Sequence, residues 1–352
     1  MIQFTRILTG LLFSVVVAAA DFWGYAGDRE EFLGKVWEAP LEDFDRFSYG
    51  RALSALLADF ERRTGRALEP GSDGRVGIKL YTNSGTGLAT SRNLVRALVE
   101  ALEARGYARG DLFLYDVSES GLRANGYLPP LSRMEEVGFR FEGVPVHVLD
   151  HGDHFDADWY YENPLPMRHT YSLLSAFDGE SLVGTDSGDR RSFLPAHVVR
   201  EVDFWINLPV VTDHRTLGIN GVLANATLWS VSNRDRFFVS ASNAPIAIAE
   251  IAAIPELLSA WSMSIVSLEQ YQYIGGPRFR SYYTRSEPRI WMGVDPVILD
   301  ALVLERINEH RRDHEFQPLD RDQPVFEYAH SLGVGYYDTE KVEWFHPEPV
   351  DE

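Results

Sequence analysis

The chain has 352 residues, and its 33 basic and 52 acidic side chains give a formal net charge of −19. Hydrophobic residues make up 45% and charged residues 24%, which is typical of soluble globular proteins and argues against a disordered, fibrous or polytopic membrane chain. The acidic balance argues against nucleic-acid binding, which needs a surplus of Lys and Arg. Cysteine is absent, which excludes disulfides, thiolate nucleophiles and cysteine-bound iron–sulfur clusters.

The N-terminus has the pattern of an export signal. A weakly positive start ending at Arg6 is followed by an apolar stretch that is too short to span a bilayer comfortably. Ala18 and Ala20 precede a plausible cleavage point before Asp21. We therefore expect a signal peptide at residues 1–20, export to the periplasm or the extracellular space, and no transmembrane segment after cleavage. An uncleaved anchor or a buried N-terminal helix is the alternative.

Residues 21–70 are predicted to form an N-terminal helical extension. Apolar residues recur there at helical spacing up to Phe60, and the pattern fades near Gly65. The turn-rich segment 69–74 is the best domain boundary. An α/β domain is then predicted over residues 71–350.

The α/β domain is predicted to contain an open, mostly parallel sheet with helices on both faces. A strand over 76–81, a helix that carries Leu94, Leu98 and Leu102, and a strand over 111–116 form one βαβ unit. Further elements are predicted as buried strands at 144–150 and 204–211, a helix through Val222 and Leu223, and helices at 296–307 and 326–332. Asp295 is predicted to cap the helix that begins at Pro296.

Two parts of the domain lack a clear pattern. Residues 151–197 mix His, Asp, Tyr and Gly without periodicity and are predicted to form a long irregular excursion. The apolar segment 244–263 and the aromatic and Arg-rich segment 275–289 are expected to build a lobe over the sheet. Residues 271–289, which overlap the aromatic and Arg-rich segment, could be a lid over a substrate, although packing explains them equally well.

Four segments together resemble the family called domain of unknown function 362 (DUF 362). They are residues 76–91 (VGIKLYTNSGTGLATS), 206–225 (INLPVVTDHRTLGINGVLAN), 294–302 (VDPVILDAL) and 328–335 (YAHSLGVG). Their order and spacing cover roughly residues 71–345. The resemblance implies a fold and candidate positions, and it leaves the reaction open because no general activity is established for the family.

The chain also departs from the family pattern. Family members often carry lysines where this chain has Thr212 and Ala224, whereas the histidine and the asparagine of that segment are present as His214 and Asn225. Some family members have ferredoxin-like cysteine clusters, which this cysteine-free chain cannot form. An electron-transfer role based on such clusters is therefore excluded.

The loop after the first predicted strand offers hydroxyls, small residues and backbone N–H groups ahead of a helix. Ligands of open parallel sheets bind beyond the carboxyl ends of the strands, and helix starts attract anions. The loop is therefore a candidate cradle for a small anionic ligand, although an ordinary capped turn explains it as well. The candidate ligand-binding residues are Thr82, Asn83, Ser84, Gly85, Thr90, Ser91 and, from the neighbouring strand, Asp116.

Lys79 lies inside an otherwise apolar strand. A buried ammonium group is costly unless it is paired, so we expect Lys79 to meet a carboxylate or to face a ligand near the strand end. Asp116, at the end of the neighbouring strand, is the expected partner. The alternative is a lysine on an edge strand or one whose head extends to solvent.

Asp213 and His214 follow a buried strand and form the candidate catalytic centre together with Lys79 and Asn225. Histidine can act as a base or a metal ligand near neutral pH, and an aspartate can orient it. Asn225 is expected one turn into the next helix. A structural His–Asp hydrogen bond is the alternative explanation.

The segment HGDHFDAD supplies the candidate metal ligands His151, Asp153 and His154. Imidazole and oxygen ligands suit divalent zinc, manganese, iron or nickel. No HExxH motif is present, and a solvated acidic loop is the alternative.

Three functions follow from these features. The first is an exported protein or enzyme that acts on a small anionic molecule at the carboxyl ends of the strands. The second is a non-catalytic exported binding or interaction protein that keeps the fold. The third is a metal-dependent enzyme that uses the His/Asp cluster.

Overall fold

The computed structural model describes residues 22–23, 26–163, 190–238 and 241–348. The predicted signal peptide, residues 1–20, lies outside the described residues. Among the helices that the structure does describe, none combines the length and the apolar character that a membrane span requires.

The strands of the described residues form three sheets. In chain order they are β1 (Lys35–Pro40), β2 (Val76–Lys79), β3 (Leu112–Asp116), β4 (Arg140–Phe141), β5 (Val144–Val148), β6 (Phe155–Glu162), β7 (Arg191–Pro195), β8 (Phe204–Asn207), β9 (Thr212–His214), β10 (Gly218–Asn220), β11 (Trp261–Ser267), β12 (Tyr271–Gln272), β13 (Thr284–Arg285), β14 (Arg289–Gly293) and β15 (Glu343–Phe345). The largest sheet has nine strands in the order β15-β1-β14-β11-β8-β2-β3-β5-β4. A second sheet has the order β10-β9-β12-β13, and β6 pairs with β7.

The helices alternate with strands along much of the chain. In chain order they are α1 (Ala26–Glu30), α2 (Arg46–Thr64), α3 (Arg92–Glu103), α4 (Glu119–Ala124), α5 (Met134–Val137), α6 (Ala196–Arg200), α7 (Val222–Ala226), α8 (Asn243–Ala252), α9 (Pro255–Ala260), α10 (Pro296–Asp313) and α11 (Pro324–Ser331). Short 3₁₀ turns occur at Leu131–Arg133, Leu149–His151, Leu228–Ser230, Arg234–Phe237, Ser281–Tyr283 and Thr339–Lys341.

The predicted open, mostly parallel sheet flanked by helices is confirmed. The adjacent strands β11, β8, β2, β3 and β5 run parallel to one another. The predicted βαβ unit is β2–α3–β3, with Val76 opposite Leu112. Antiparallel pairing occurs where β14 meets β11 and β1, and at the edge where β4 meets β5.

Two hydrophobic cores cover the two faces of the large sheet. Successive residues of a strand point to opposite faces, so Phe204 and Ile206 of β8 enter one core and Trp205 enters the other. The first core includes the buried sides of α2 and α3, and the second includes those of α8, α10 and α11.

Capping groups fix the ends of two long helices. Asp45 caps α2 by accepting a hydrogen bond from Ser48 N, and Gly65 ends it in the left-handed conformation, where the sequence pattern fades. Asp295 caps α10 as predicted, accepting from Val297 N and Ile298 N.

Three segments contain strands that the sequence does not predict. Residues 21–70 hold α2 but also β1, which pairs inside the large sheet with β14 and β15. The predicted irregular excursion, residues 151–197, includes the antiparallel pair β6 and β7 in its described part. The apolar segment 244–263 ends in β11, a central strand and not part of a lobe. A strand buried on both faces has no polar alternation, so its sequence resembles that of a buried helix.

Candidate functional site

Lys79 and Asp116 form an ion pair at the carboxyl ends of the neighbouring strands β2 and β3. Lys79 Nζ donates to Asp116 Oδ1 at 2.7 Å, to the carbonyl oxygen of Leu80 at 2.6 Å and to Asn225 Oδ1 at 3.2 Å. Both charged side chains are fully buried. Burial lowers the pKa of Lys79, and the charge of Asp116 opposes that shift. All three ammonium hydrogens therefore have acceptors within the protein.

The carboxylate of Asp116 also binds the loop that the sequence predicts as an anion cradle. Asp116 Oδ2 accepts from Thr82 N at 2.8 Å and from Thr82 Oγ1 at 2.6 Å, and Asn83 Nδ2 lies 3.3 Å from Oδ1. These donors are the groups that an external anion would use. The chain's own carboxylate thus takes the position of the expected ligand.

Most of the remaining loop residues form hydrogen bonds within the protein. Ser84 Oγ lies 2.9 Å from Tyr81 Oη, and Thr90 Oγ1 donates to the carbonyl oxygen of Leu208 at 2.8 Å. Gly85 adopts a φ of 97°, and its carbonyl oxygen accepts from Leu88 N. The segment predicted as a possible lid packs on this loop, because Phe279 N donates to the carbonyl oxygen of Ser84. Ser91 stands at the start of α3 without a side-chain capping bond.

Two asparagines extend the buried polar network. Asn225 Nδ2 donates to Asn207 Oδ1 at 2.8 Å, and Asn207 Nδ2 donates to the carbonyl oxygen of Val222 at 3.0 Å. Both asparagines, like Lys79 and Asp116, are at most 1% exposed. The structure therefore brings Lys79, Asp116 and Asn225 together, but in an enclosed network whose donors and acceptors satisfy one another.

His214 and Asp213 lie on β9 in the four-stranded sheet, and their hydrogen bonds do not reach Lys79 in the described part of the chain. His214 Nδ1 accepts from Thr216 N at 3.1 Å and Leu217 N at 3.2 Å. Burial lowers the pKa of His214 to about 4. The imidazole is therefore neutral near pH 7. By accepting these two backbone hydrogen bonds, it stabilises the turn that follows β9.

Asp213 does not orient His214, because adjacent residues on a strand point to opposite faces. Its carboxylate accepts from Gly276 N at 2.7 Å and Gly275 N at 3.1 Å, and it lies 3.6 Å from Arg311 Nη1. Burial raises the pKa of Asp213, and the two glycine amides oppose that shift. The side chains of the predicted catalytic pair therefore form two separate sets of hydrogen bonds, His214 with residues 216 and 217 and Asp213 with residues 275 and 276.

Only one of the three predicted metal ligands joins a cluster of possible ligands. His151 Nε2 lies 2.9 Å from Glu119 Oε2, which ties it to the start of α4. Neither His151 nor Asp153 belongs to a described group of side chains that could share an ion. His154 instead lies beside His147 and His197, and the ligand nitrogens of these three residues are all within 4.8 Å of one another.

The three histidines come from separate elements and are packed ring against ring. His147 lies on β5 and stacks on Phe113, with ring centroids 4.6 Å apart. His154 precedes β6 and stacks on His147 at 4.3 Å. His197 lies on α6, with its ring 5.2 Å from that of His147 and 5.4 Å from that of His154. We call His147, His154 and His197 the histidine triad.

The surroundings of His147 and His154 favour the neutral form of both imidazoles. Burial, followed by repulsion from the other histidines, lowers the pKa of His147 to about 3. The same causes lower the pKa of His154 to about 4. His154 Nδ1 is buried and has no hydrogen-bond partner among the described residues. Neutral imidazole nitrogens with free lone pairs are the form that binds metal ions.

A carboxylate supports the triad from outside. Glu201 accepts a hydrogen bond from His197 Nδ1 and lies 3.1 Å from Arg75 Nη1. A metal-binding histidine commonly donates its second ring N–H to a carboxylate, which fixes the tautomer. With Nδ1 engaged in this way, Nε2 is the His197 nitrogen left for a metal ion.

Sequence reasoning missed His147 and His197 because no spacing rule connects a strand, a loop and a helix in this order. The sequence contains one signal: His147 is the only polar residue in the alternating segment VPVHV. Its seven-residue distance from His154 matches no metal-binding motif.

No family model and no curated protein matches the chain. Among solved structures, it is similar to a structural genomics target from Thermotoga maritima at 14% identity and a TM-score of 0.36, over 69% of this chain and 54% of that chain. The chain thus spans about half the length of that protein. The resemblance to the DUF 362 family stays a prediction.

Proposed function

We propose that this α/β protein binds a divalent transition-metal ion through the histidine triad. The convergence of three imidazoles from three elements, with ligand nitrogens within 4.8 Å, carries the proposal. Imidazole ligands suit zinc, copper, iron and nickel. This is the third function drawn from the sequence, with His147 and His197 in place of His151 and Asp153.

The expected coordination leaves one position open. Nitrogen ligands of a tetrahedral zinc ion lie about 2.0–2.1 Å from the metal, which sits in the plane of each ring. On binding, the three nitrogens would therefore move closer together, and the parallel rings of His147 and His154 would turn toward the ion. Zinc sites with three protein ligands keep a fourth position for water or substrate. The site would therefore support metal-dependent catalysis, in addition to binding the metal ion.

Zinc titration of chelator-treated protein by isothermal calorimetry tests the proposal. We expect one zinc ion per chain, and at least about tenfold weaker binding after His147→Ala, His154→Ala or His197→Ala. His151→Ala is the matched control, since it removes a nearby histidine that Glu119 holds away from the triad. Absence of zinc binding, or an equal loss in the control, contradicts the proposal.

The visible absorption of bound cobalt provides a second readout, because it reports the ligand geometry and a misfolded variant would not reproduce it. Cobalt bound by three imidazoles and one water in a tetrahedral arrangement gives intense visible absorption, which we expect for the unmodified chain and the His151→Ala control. Glu201→Gln should weaken cobalt binding by about tenfold while leaving the spectrum tetrahedral, because the carboxylate supports His197 without being a ligand. An octahedral spectrum in the unmodified chain would argue against the three-histidine site.

A further inference from the structure

A second feature lies away from the histidine triad, in an open cleft next to α10 and α11. The cleft has a volume of about 840 Å³, which is within the range of small-molecule sites. One wall is α10, another is the C-terminal part of α11, and the segment 336–341 closes the third side. Gly34, just before β1, belongs to the floor.

The floor of the cleft is held in place by a buried carboxylate. Asp295, which caps α10, also accepts from Gly34 N at 3.0 Å and from Tyr336 N at 2.8 Å. The side chain of Asp295 is fully buried. The two backbone segments that meet at the floor are therefore fixed relative to α10, and the cleft is a preformed part of the fold.

The charges on the cleft wall favour a cationic ligand. Four carboxylates line it, against two cations, and both cations are already paired. Arg321 lies 2.7 Å from Glu305, and Lys341 lies 2.7 Å from Asp338. The remaining carboxylates, those of Asp322 and Glu340, form no hydrogen bond and no ion-pair contact among the described residues, although Lys341 lies within electrostatic reach of Glu340. An anion would meet only neutralised cations, whereas a cation would meet two unpaired carboxylates.

Aromatic rings line the same cleft. Tyr336 and Tyr337 both line the cleft, and Tyr336 is 46% exposed. The ring of His330 lies 5.3 Å from that of Tyr336 and 5.6 Å from that of Tyr337, and its Nδ1 is engaged by the carbonyl oxygen of Gly335 at 2.9 Å. Ring faces attract ammonium and guanidinium groups, and desolvation strengthens this attraction.

We propose that this cleft binds a small organic cation of the primary-amine or guanidinium class. The unpaired carboxylates of Asp322 and Glu340 supply the counter-charge, and the tyrosine rings supply the apolar surface that covers its alkyl part. The preformed floor reduces the cost of ordering on binding. The site is independent of the histidine triad, so either proposal can fail alone.

Calorimetric titration with spermidine as the probe, in buffer of physiological ionic strength, tests this second site. We expect saturable binding at one site per chain, a Kd at least tenfold higher in Asp322→Asn/Glu340→Gln, and several-fold weaker binding in Tyr336→Leu. The matched control is Glu135→Gln/Glu136→Gln, which removes the same charge from two exposed carboxylates on α5 that do not line the cleft.

The outcomes separate a built site from general electrostatic attraction. Equal weakening in the cleft variant and in the α5 control would mean that spermidine senses only net charge, and it would overturn the proposal. Absence of saturable binding, or tighter binding of citrate than of spermidine, would overturn it as well. Circular dichroism of each variant shows whether the fold is retained, and Tyr336→Leu supplies a second test if the double variant does not fold.

Discussion

Lys79 and Asp116 form an ion pair in which neither side chain is exposed to solvent and Nζ lies 2.7 Å from Oδ1. Burial of two charges is costly, and it is tolerated only when geometry and further hydrogen bonds compensate. Here Thr82 donates twice to the carboxylate, and Leu80 and Asn225 accept from the ammonium group. The pair therefore joins β2, β3 and α7 at the place where an open parallel sheet usually binds its ligand.

Removing one partner of this pair should destabilise the fold strongly. We expect Lys79→Met to lower the free energy of unfolding by about 3–5 kcal/mol, because the carboxylate of Asp116 would stay buried without its counter-charge. Urea denaturation measures the change. Lys341→Met, which breaks the exposed pair with Asp338, is the control and should leave stability nearly unchanged. A Lys79→Met protein as stable as this control would contradict the role given to the pair.

The double variant Lys79→Met/Asp116→Leu extends the same experiment. If the cost of the single change comes from an uncompensated charge, replacing both partners by apolar side chains should be less destabilising than the sum of the two single changes. An additive result would show that the two residues act independently.

Asp300 should make stability depend on pH near neutrality. Its carboxylate accepts from Val222 N at 2.6 Å and Leu223 N at 2.9 Å, and burial raises its pKa from 3.8 to about 7. The folded state therefore holds the proton more tightly than the unfolded state. The resulting stabilisation is complete below about pH 4 and is lost as pH rises through about 7.

Asp300→Asn tests this dependence because the amide does not ionise. The difference in unfolding free energy between the variant and the unmodified chain should shift in favour of the variant between pH 4 and 7, by an amount on the order of a few kcal/mol. Urea titrations at several pH values measure the difference. A pH-independent difference for Asp300→Asn would contradict the prediction.

The start of α7 also depends on a close approach that only glycine permits. A Cβ atom at Gly221 would lie 2.0 Å from Asp300 Oδ1, whereas a Cβ at Gly50 within α2 would have nothing within 4 Å. We expect Gly221→Ala to lower the melting temperature by several degrees and Gly50→Ala to raise it slightly, since alanine favours helix over glycine by about 1 kcal/mol. Thermal unfolding followed by circular dichroism compares the two, and equal effects would contradict the packing described at Gly221.

The parts of this molecule that the sequence predicts are those with local signals. The unit β2–α3–β3 follows from a strand, a helix at regular spacing and a second strand, and the contact between Lys79 and Asp116 follows from the carboxyl ends of adjacent parallel strands. β11 could not be predicted, because a central strand lacks alternation and its apolar residues continue the pattern of α8 and α9. β1 is short and separated in sequence from its partner β14, so no local pattern indicates the pairing.

The candidate site shows the same division between features with a local sequence signal and features that depend on tertiary structure. The sequence identifies His154 as a metal-ligand candidate through its acidic and histidine-rich neighbourhood, but the cluster of possible ligands that the structure describes joins it to His147 and His197 and not to His151 and Asp153. His147 on β5 and His197 on α6 contact His154 through the packing of separate elements, which depends on tertiary structure. For Asp213 and His214, the sequence places two polar residues side by side, and strand geometry then separates their side chains.

The export signal predicted for residues 1–20 has a direct test. When the full chain is produced in a bacterial host with a periplasm, we expect the mature protein to begin at Asp21, since small residues at positions 18 and 20 suit the peptidase. N-terminal sequencing and the intact mass measure this. Ala20→Arg should block cleavage, and a mature protein that still carries Met1 in the unmodified chain would contradict the prediction.

Zinc should stabilise the folded chain by mass action. A ligand that binds only the native state at a hundred times its Kd adds about 2.7 kcal/mol to the free energy of unfolding. We therefore expect zinc to raise the melting temperature of the unmodified chain and of His151→Ala, and a chelator to reverse the rise. His154→Ala should show a clearly smaller zinc-dependent rise, because two imidazoles remain and the buried Nδ1 position is lost. If zinc shifts the melting temperature of His154→Ala as much as that of the unmodified chain, the ion binds elsewhere and the histidine triad is a packing feature of β5, β6 and α6.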